Sequence, residues 1–466
     1  MYEDLADFSL KQLEKLGASY AEARLEEIKG SGFILKNGNV EISGFDRVNG
    51  LGLRFIINNT LGFVSINDFN KEKINYLIRK SFNLTKNSSK IGNKVKLSEE
   101  KTVKANYKVK QKIKLDNINP EEKLKFLLDL DKSVNKKYFR FFSLGDNVER
   151  KYYINSEGTK FVSEIPRIGF YYFITIISNN KSMQRYLPYG STGGWEIIKK
   201  WNVKQNLLNE IKALENVLKH GVKAPHGKID LVIGPEVTGI ATHEGVGHPY
   251  EADRILGREA AQAGESFITS KMINTKIANE VVTLVDDPTL PGSNGFYLYD
   301  DEGVKARRKF LIKNGKITEF LHNRETAAEM NVKSNAASRA SEYDKETMVR
   351  MSNTFVLPGK YKEEELFEDI KLGVYMKTFM EWNIDDKRFH QKYTGAEAYL
   401  IKNGKITKPV INPILEITTP ALWQSVDALS NKIEFVAGSC GKGEPMQSIP
   451  VWFGGPHMRL RNIIMR

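Results

Sequence analysis

Two histidines five positions apart constrain this chain more than any other feature. They are His243 and His248 in "ATHEGVGHPYEADR", with Glu244 beside the first, Gly245 and Gly247 between them and Pro249 after the second. The helical metal-binding spacing H-E-x-x-H puts its two imidazoles about 40° apart on one face. Here the separation is i to i+5, about 140° at 3.6 residues per turn, so a regular α-helix aims the rings apart. The side chains converge only if the backbone widens into a π-type turn or the helix ends between them. Glycine at 245 and 247 permits either distortion, and Pro249 prevents a normal continuation.

Taken alone, the stretch fits two readings, a metal site and a His-Glu-Gly turn that closes a helix. The one cysteine of the chain, Cys440, bears on the choice. With no second cysteine there is no disulfide within the chain, which fits a reducing compartment. A lone cysteine also reads as a small buried residue. Cys440 lies in "VAGSCGKGEPMQSIPVWFGGPH", predicted as a glycine-rich loop in which Lys442 favours a thiolate. His243, His248 and Cys440 together supply two imidazoles and a thiolate and leave one tetrahedral position open, the pattern of a catalytic zinc. Glu244 is then the candidate general base toward water at that open position. Glu251 and Asp253 are candidates to orient the histidines from behind, and solvated turn carboxylates are the alternative.

Length and composition bound the rest. The 466 residues suffice for two or three domains, and 41% hydrophobic and 10% aromatic content marks a folded chain. No apolar run reaches the roughly 20 residues of a bilayer span. The start, "MYEDLADFSLKQLEKLG", is acidic and amphipathic rather than signal-like, so a cytoplasmic location is expected. The net charge of +13 raises nucleic acid as a partner. The lysines are scattered, however, and form no basic stripe with interleaved aromatics, so neither a specific nucleic-acid partner nor a membrane partner is expected.

Periodicity predicts an α+β protein in three regions. Residues 1–87 read as an N-terminal domain of helix, β-meander and helix: a helix from Tyr2 to Leu16 with Gly17 as its cap, strand-like runs with an Asn-Gly turn in "KNGN", and an amphipathic helix "KEKINYLIRKSFNLTK". Residues 88–222 begin with a polar linker or exposed edge segment. A helix with Asn119 as N-cap, aromatic strands and a helix from about Lys204 to His220 follow. Residues 223–466 read as a mostly antiparallel β domain carrying the histidine helix. It begins with the buried strand "KIDLVIGP" and holds two "IKNGK" hairpins.

An ordered set of motifs is similar to the TldD/PmbA family of metallopeptidases. It comprises "GASYAEARLEE", "VNGLGLRFIINNTLGFVS", "THEGVGHPYEAD", "DDPTLPGSNGFYLYDDEGVKARRKFLIKNGK", "MVRMSNTFVLPG", "GAEAYLIKNGKITKP" and "GSCGKGEPMQSIPV". The retained H-E-x-x-x-H and downstream cysteine resemble the metal-bearing TldD kind of subunit rather than the TldE kind. The resemblance implies that His243, His248 and Cys440 hold one divalent metal, Zn2+ with Fe2+ as the alternative, and that Glu244 is the catalytic base. It also implies a cytoplasmic peptidase acting on unfolded or flexible peptides, which bind by strand addition. Such a peptidase works as a dimer with a TldE/PmbA-type subunit or a second copy. "GKGEPMQ" differs from the shorter Gly-Lys-x-Gly-Gln form of some relatives.

The competing class is a non-catalytic protein-binding regulator, of the gyrase-modulator type, with a structural metal. Four protein ligands are the rule for a structural zinc, and no further cysteine completes such a set. An iron redox site is a third reading, and the base adjacent to a ligand favours hydrolysis over it. "DDPTLPGSNG" reads as an active-site lid or a structural turn cluster. Arg307, Arg308, Arg339 and Arg350 read as peptide-carboxylate contacts or loop ties, and His457 as a candidate proton donor.

Overall fold

The computed structural model describes residues 3–92, 94–178, 181–259, 264–443 and 446–465. Tyr2 at the predicted helix start, and Glu444 and Pro445 in the cysteine segment, fall outside these.

The chain is α+β and built on three large sheets. The first is a long seven-stranded sheet in the order Thr60–Ile66, Asn39–Ile57, Tyr20–Lys36, Phe139–Asn155 and Lys160–Ser178. Lys104–Lys108 and Lys181–Thr192 both pair with that last strand. The predicted Asn-Gly turn closes the first hairpin, with Asn37 and Gly38 at φ 48° and 85°. Residues 1–87 and 88–222 thus contribute to one sheet, through the pairing of Tyr20–Lys36 with Phe139–Asn155. The polar stretch after residue 86 includes a short edge strand, Lys104–Lys108.

Strand alternation explains how this sheet is covered. Ala21, Ala23, Leu25, Phe33 and Leu35 point to one face, since successive side chains alternate. Helices Glu3–Leu16 and Lys71–Ser88 cover one end of that face, and Pro120–Ser133 and Val203–His220 the other. The opposite face is charged and yet buried. Arg54 pairs with Glu22 at 2.9 Å and Glu302 at 2.5 Å, Lys151 with Asp301 at 2.5 Å, and Arg24 donates to the carbonyls of Glu342 and Lys345. This ion-paired face is the seam between the first sheet and the C-terminal region. Its worth is geometric more than energetic, because desolvating such pairs offsets much of their attraction.

The C-terminal region packs a nine-stranded and a six-stranded sheet around the largest apolar core. Gly227–Ile233, the predicted buried strand, lies inside the nine-stranded sheet between Leu372–Met376 and Met458–Met465. Both "IKNGK" segments are hairpins, with Asn314, Gly315, Asn403 and Gly404 at positive φ. Helix Pro235–Thr242 leaves the buried strand and is buried along its whole length. Each sheet has one edge near this helix: Lys181–Thr192 of the first, Glu434–Gly443 of the second and Phe379–Ile384 of the third.

Gly239 sets how closely that helix packs. A Cβ there would lie 2.8 Å from the Phe453 ring and 2.9 Å from the backbone nitrogen of Gly454. Alanine gains at most about 1 kcal/mol in helix propensity, whereas overpacking costs about 1–3 kcal/mol and backbone cannot swing aside. Gly239→Ala is therefore expected to destabilise the chain by about 1–2 kcal/mol in urea unfolding. An unchanged or raised midpoint would mean that the helix is free to shift.

Candidate metal centre

The i to i+5 problem is solved by a π-type turn over His243–Gly247, followed by a tight 3-10 turn over His248–Tyr250. The His248 amide donates to the carbonyl of His243, an i to i+5 bond that brings the two residues onto one face. Their ring centroids lie 5.0 Å apart. The glycines contribute differently from expectation. Neither Gly245 nor Gly247 has left-handed backbone, and Gly247 sits at φ −52°. Space is the constraint instead. A Cβ on Gly245 would be 2.4 Å from Nε2 of Gln391, and one on Gly247 would be 2.5 Å from Sδ of Met351.

Cys440 lies in a strand, not the predicted loop. Glu434–Gly443 pairs in unbroken register with Met446–Gly455. The glycines serve close packing here too, since a Cβ on Gly438 would meet the Phe453 ring at 2.9 Å. Alternation along the strand turns Cys440 and Lys442 inward and Ser439 and Gly441 outward. Donor atoms of His243, His248 and Cys440 all lie within 4.8 Å of one another, and all three residues are buried. This is the group of metal-capable side chains found among the described residues.

The surroundings suit a cation. Cys440 Sγ is 3.3 Å from Nε2 of His248, and Nδ1 of His248 is 3.2 Å from Oε2 of Glu251. Glu251 is placed to hold the His248 proton on Nδ1 once Nε2 turns its lone pair to a metal. Nδ1 of His243 is buried without a hydrogen-bond partner. Burial raises the Cys440 thiol, but the charges of His248 and Arg350 and the hydrogen bond from His248 outweigh it and bring it to about 7. Burial pushes both imidazoles below their ordinary value, toward the neutral form that ligates. Two neutral imidazoles, a thiol near its thiolate form and an orphaned ring nitrogen fit a divalent metal of zinc type.

Glu251 is fully buried behind His248. Burial raises its carboxyl, but Lys442, His248 and Arg254 together hold it well below the usual carboxylate range. Lys442 reaches Glu251 at 3.1 Å, Asp253 at 2.7 Å and the carbonyl of Val349 at 2.8 Å. The expected roles of this neighbourhood therefore shift. Glu251 meets a histidine, Asp253 meets Lys442 instead, and Lys442 braces Glu251 rather than activating the thiol. Arg350 performs the electrostatic part expected of Lys442, and it donates to the Cys440 carbonyl.

Glu244 is buried and forms an ion pair with Arg388, which reaches it from a tight turn with φ 64°. The Arg388 carbonyl accepts from Thr419 Oγ1 at 2.6 Å, which anchors that turn. Nothing in "DDKRFH" singles out Arg388, because a basic residue in a charged hairpin turn reads as solvent-exposed. His243 and Glu244 also line a pocket of about 200 Å³.

Other candidates fall elsewhere. Asp286 and Asp287, at the head of the "DDPTLPGSNG" turns, are buried, with Asp286 bonded to Lys309 and Ser352 and Asp287 to Arg308. Arg307 and Arg308 pair with Glu319 and Asp287, and Arg339 donates to the carbonyls of Met351 and Pro450, so these arginines tie loops together. His457 bonds Tyr375 at 2.9 Å and lines a different pocket from His243. Among the described residues no helix is long and apolar enough to cross a membrane.

Comparison with known proteins agrees along the chain. Three family models match, described as PmbA/TldA metallopeptidase domain 1 over residues 21–84, the central domain over 113–217 and the C-terminal domain over 226–465. A metalloprotease of Methanocaldococcus jannaschii is 33% identical, over 97% of this chain and 98% of that one. A zinc metalloprotease TldD homolog of Saccharolobus solfataricus is 26% identical, over 97% and 98%. The crystal structure of TldE from Thermococcus kodakarensis shares the fold with a TM-score of 0.77, at 17% identity and 99% coverage of both chains.

Proposed function

This chain belongs to the PmbA/TldD metallopeptidase family, and from that premise we propose that it is a metal-dependent peptidase of the TldD type that hydrolyses unfolded or flexible peptides. The observation that carries the reading is the convergence of His243, His248 and Cys440, donor atoms within 4.8 Å, beside a pocket that Glu244 shares. These three side chains hold the metal, one ion per chain. Zinc is favoured over Fe2+ by the donor set and by the name of the Saccharolobus relative. When bound, the metal supplies Lewis-acid chemistry, polarising the scissile carbonyl and strengthening water as a nucleophile near neutral pH.

The chain's own residues do the rest. Glu244 takes the proton of the attacking water and returns it to the leaving amine. Arg388 fixes the position of the Glu244 carboxylate. Glu251 holds the His248 ring in one orientation, and Lys442 and Arg254 hold Glu251. The free edge of Glu434–Gly443 offers backbone groups to an extended peptide, so main-chain pairing contributes affinity whatever the peptide's sequence. Three protein ligands rather than four favour this reading over a regulator with a structural metal. The likeness to TldE supports a partner subunit of that kind or a second copy. Three apolar clusters that segregate largely by chain region support the division into residues 1–87, 88–222 and 223–466.

The test is cleavage of a pool of unstructured peptides, read by mass spectrometry, before and after chelation. The expected result is new fragments from the metal-loaded protein, their loss on metal removal, and recovery when Zn2+ is restored. Fragments that persist without metal would overturn the reading.

A further inference from the structure

The pocket beside His243 and Glu244 has a composition that the reaction itself does not explain. It lies where free edges of the three sheets approach one another. Lys181–Thr192 contributes Leu187, Phe379–Ile384 contributes Phe379 and Trp382, and Glu434–Gly443 contributes Val436. Ile240 and Phe453 add to a mostly apolar lining that also takes in Tyr186 and Ser439. Its other acidic group, Glu236, is already matched by Arg185 through two parallel bonds of 2.7 and 2.5 Å. Arg185 in turn is held by Glu210. No charge is left over for a ligand.

Resting on the peptidase reading above, we infer that this pocket is a subsite for one large apolar side chain, at the peptide residue beside the bond that is cut. It selects Phe, Trp, Leu or Met there over acidic and basic residues. Position argues for this, because His243 and Glu244 form part of the pocket wall, so its occupant adjoins the reacting bond. Size argues for it as well. About 200 Å³ receives one large side chain and falls below the 300–1,000 Å³ typical of whole small-molecule sites. A charged side chain entering here loses its hydration and finds no partner. A peptide lying extended along Glu434–Gly443 turns alternate side chains to the same side, which puts one into the pocket and the next outside. Main-chain pairing then supplies general affinity, and this subsite sets where the cut falls.

The experiment uses blocked hexapeptides of glycine and serine with one variable residue: Phe, Leu, Ala, Asp or Lys. The metal-loaded full chain gives kcat/KM for each. Calorimetry on Glu244→Gln gives Kd without requiring turnover. Phe and Leu peptides are expected to exceed Asp and Lys peptides by about 10- to 100-fold in both measurements, the range for burying one large apolar side chain. Trp382 is 37% exposed, so Trp382→Ala is expected to keep the fold and to lower the Phe-over-Ala ratio at least threefold. Val436→Lys is expected to shift preference toward the Asp peptide. Equal binding of Phe and Asp peptides, or ratios unmoved in both variants, would overturn the inference. An apolar preference in Kd with no cleavage of any peptide would uphold the subsite and overturn the peptidase reading instead.

Discussion

Replacing Glu244 with alanine is expected to lower peptide hydrolysis by about 10²- to 10⁴-fold while metal content stays at one ion per chain. Glu244 lies outside the group His243, His248 and Cys440, so its loss removes proton transfer and not a ligand. The substitution also strands Arg388. Its guanidinium is buried, and Nε has no partner even in the intact chain. An uncompensated buried charge is strongly destabilising, by about 3–5 kcal/mol where one partner of a pair is removed. Part of the loss in Glu244→Ala could therefore be unfolding. Glu244→Gln separates the two effects, because its amide oxygen still accepts from Arg388 while it cannot serve as a base. Stability near that of the parent with activity lost in Glu244→Gln is the expected pattern. Full activity in either variant would end the general-base assignment.

Cys440→Ala is expected to weaken metal binding by more than about 100-fold, a larger loss than the 10- to 100-fold typical of outer partners. Metal analysis after desalting would give about one ion per chain for the parent and little for the variant. A second stoichiometric ion in the parent would mean that the ligand set is incomplete. The same residue sets the pH dependence. The thiol sits at about 7, so above that pH the thiolate is already formed and affinity is flat with respect to this group. Below about 7 a proton must leave for each ion bound, and affinity falls about tenfold per pH unit. Both imidazoles, pushed below their ordinary value, add their own proton competition only at lower pH. A metal affinity unchanged between pH 7 and pH 5 would remove Cys440 from the site.

Local signals in the sequence carried the elements and the donor types. Asn-Gly pairs marked hairpins at residues 37, 314 and 403, because type I′ turns need positive φ at both central positions. Asn119 and Pro120 marked a helix start, and the side chain of Asn119 caps it. The five-residue spacing of the histidines demanded either a widened turn or a helix end between them, and a π-type turn is what forms. These features are decided within a few residues, where steric and hydrogen-bonding rules act directly.

What only the tertiary structure decided lies between segments far apart in the chain. That Cys440 sits on a strand, that Arg350 rather than Lys442 polarises its thiol, and that Arg388 holds Glu244 all depend on which sheet edges meet. The joining of residues 1–87 and 88–222 in one sheet depends likewise on pairing across more than a hundred residues. Composition and period are the same whichever strands pair, so they cannot report these contacts. Gly245 and Gly247 make the point at a single site: the sequence suggested backbone freedom, whereas Gln391 and Met351, brought in from distant segments, require the absence of a side chain.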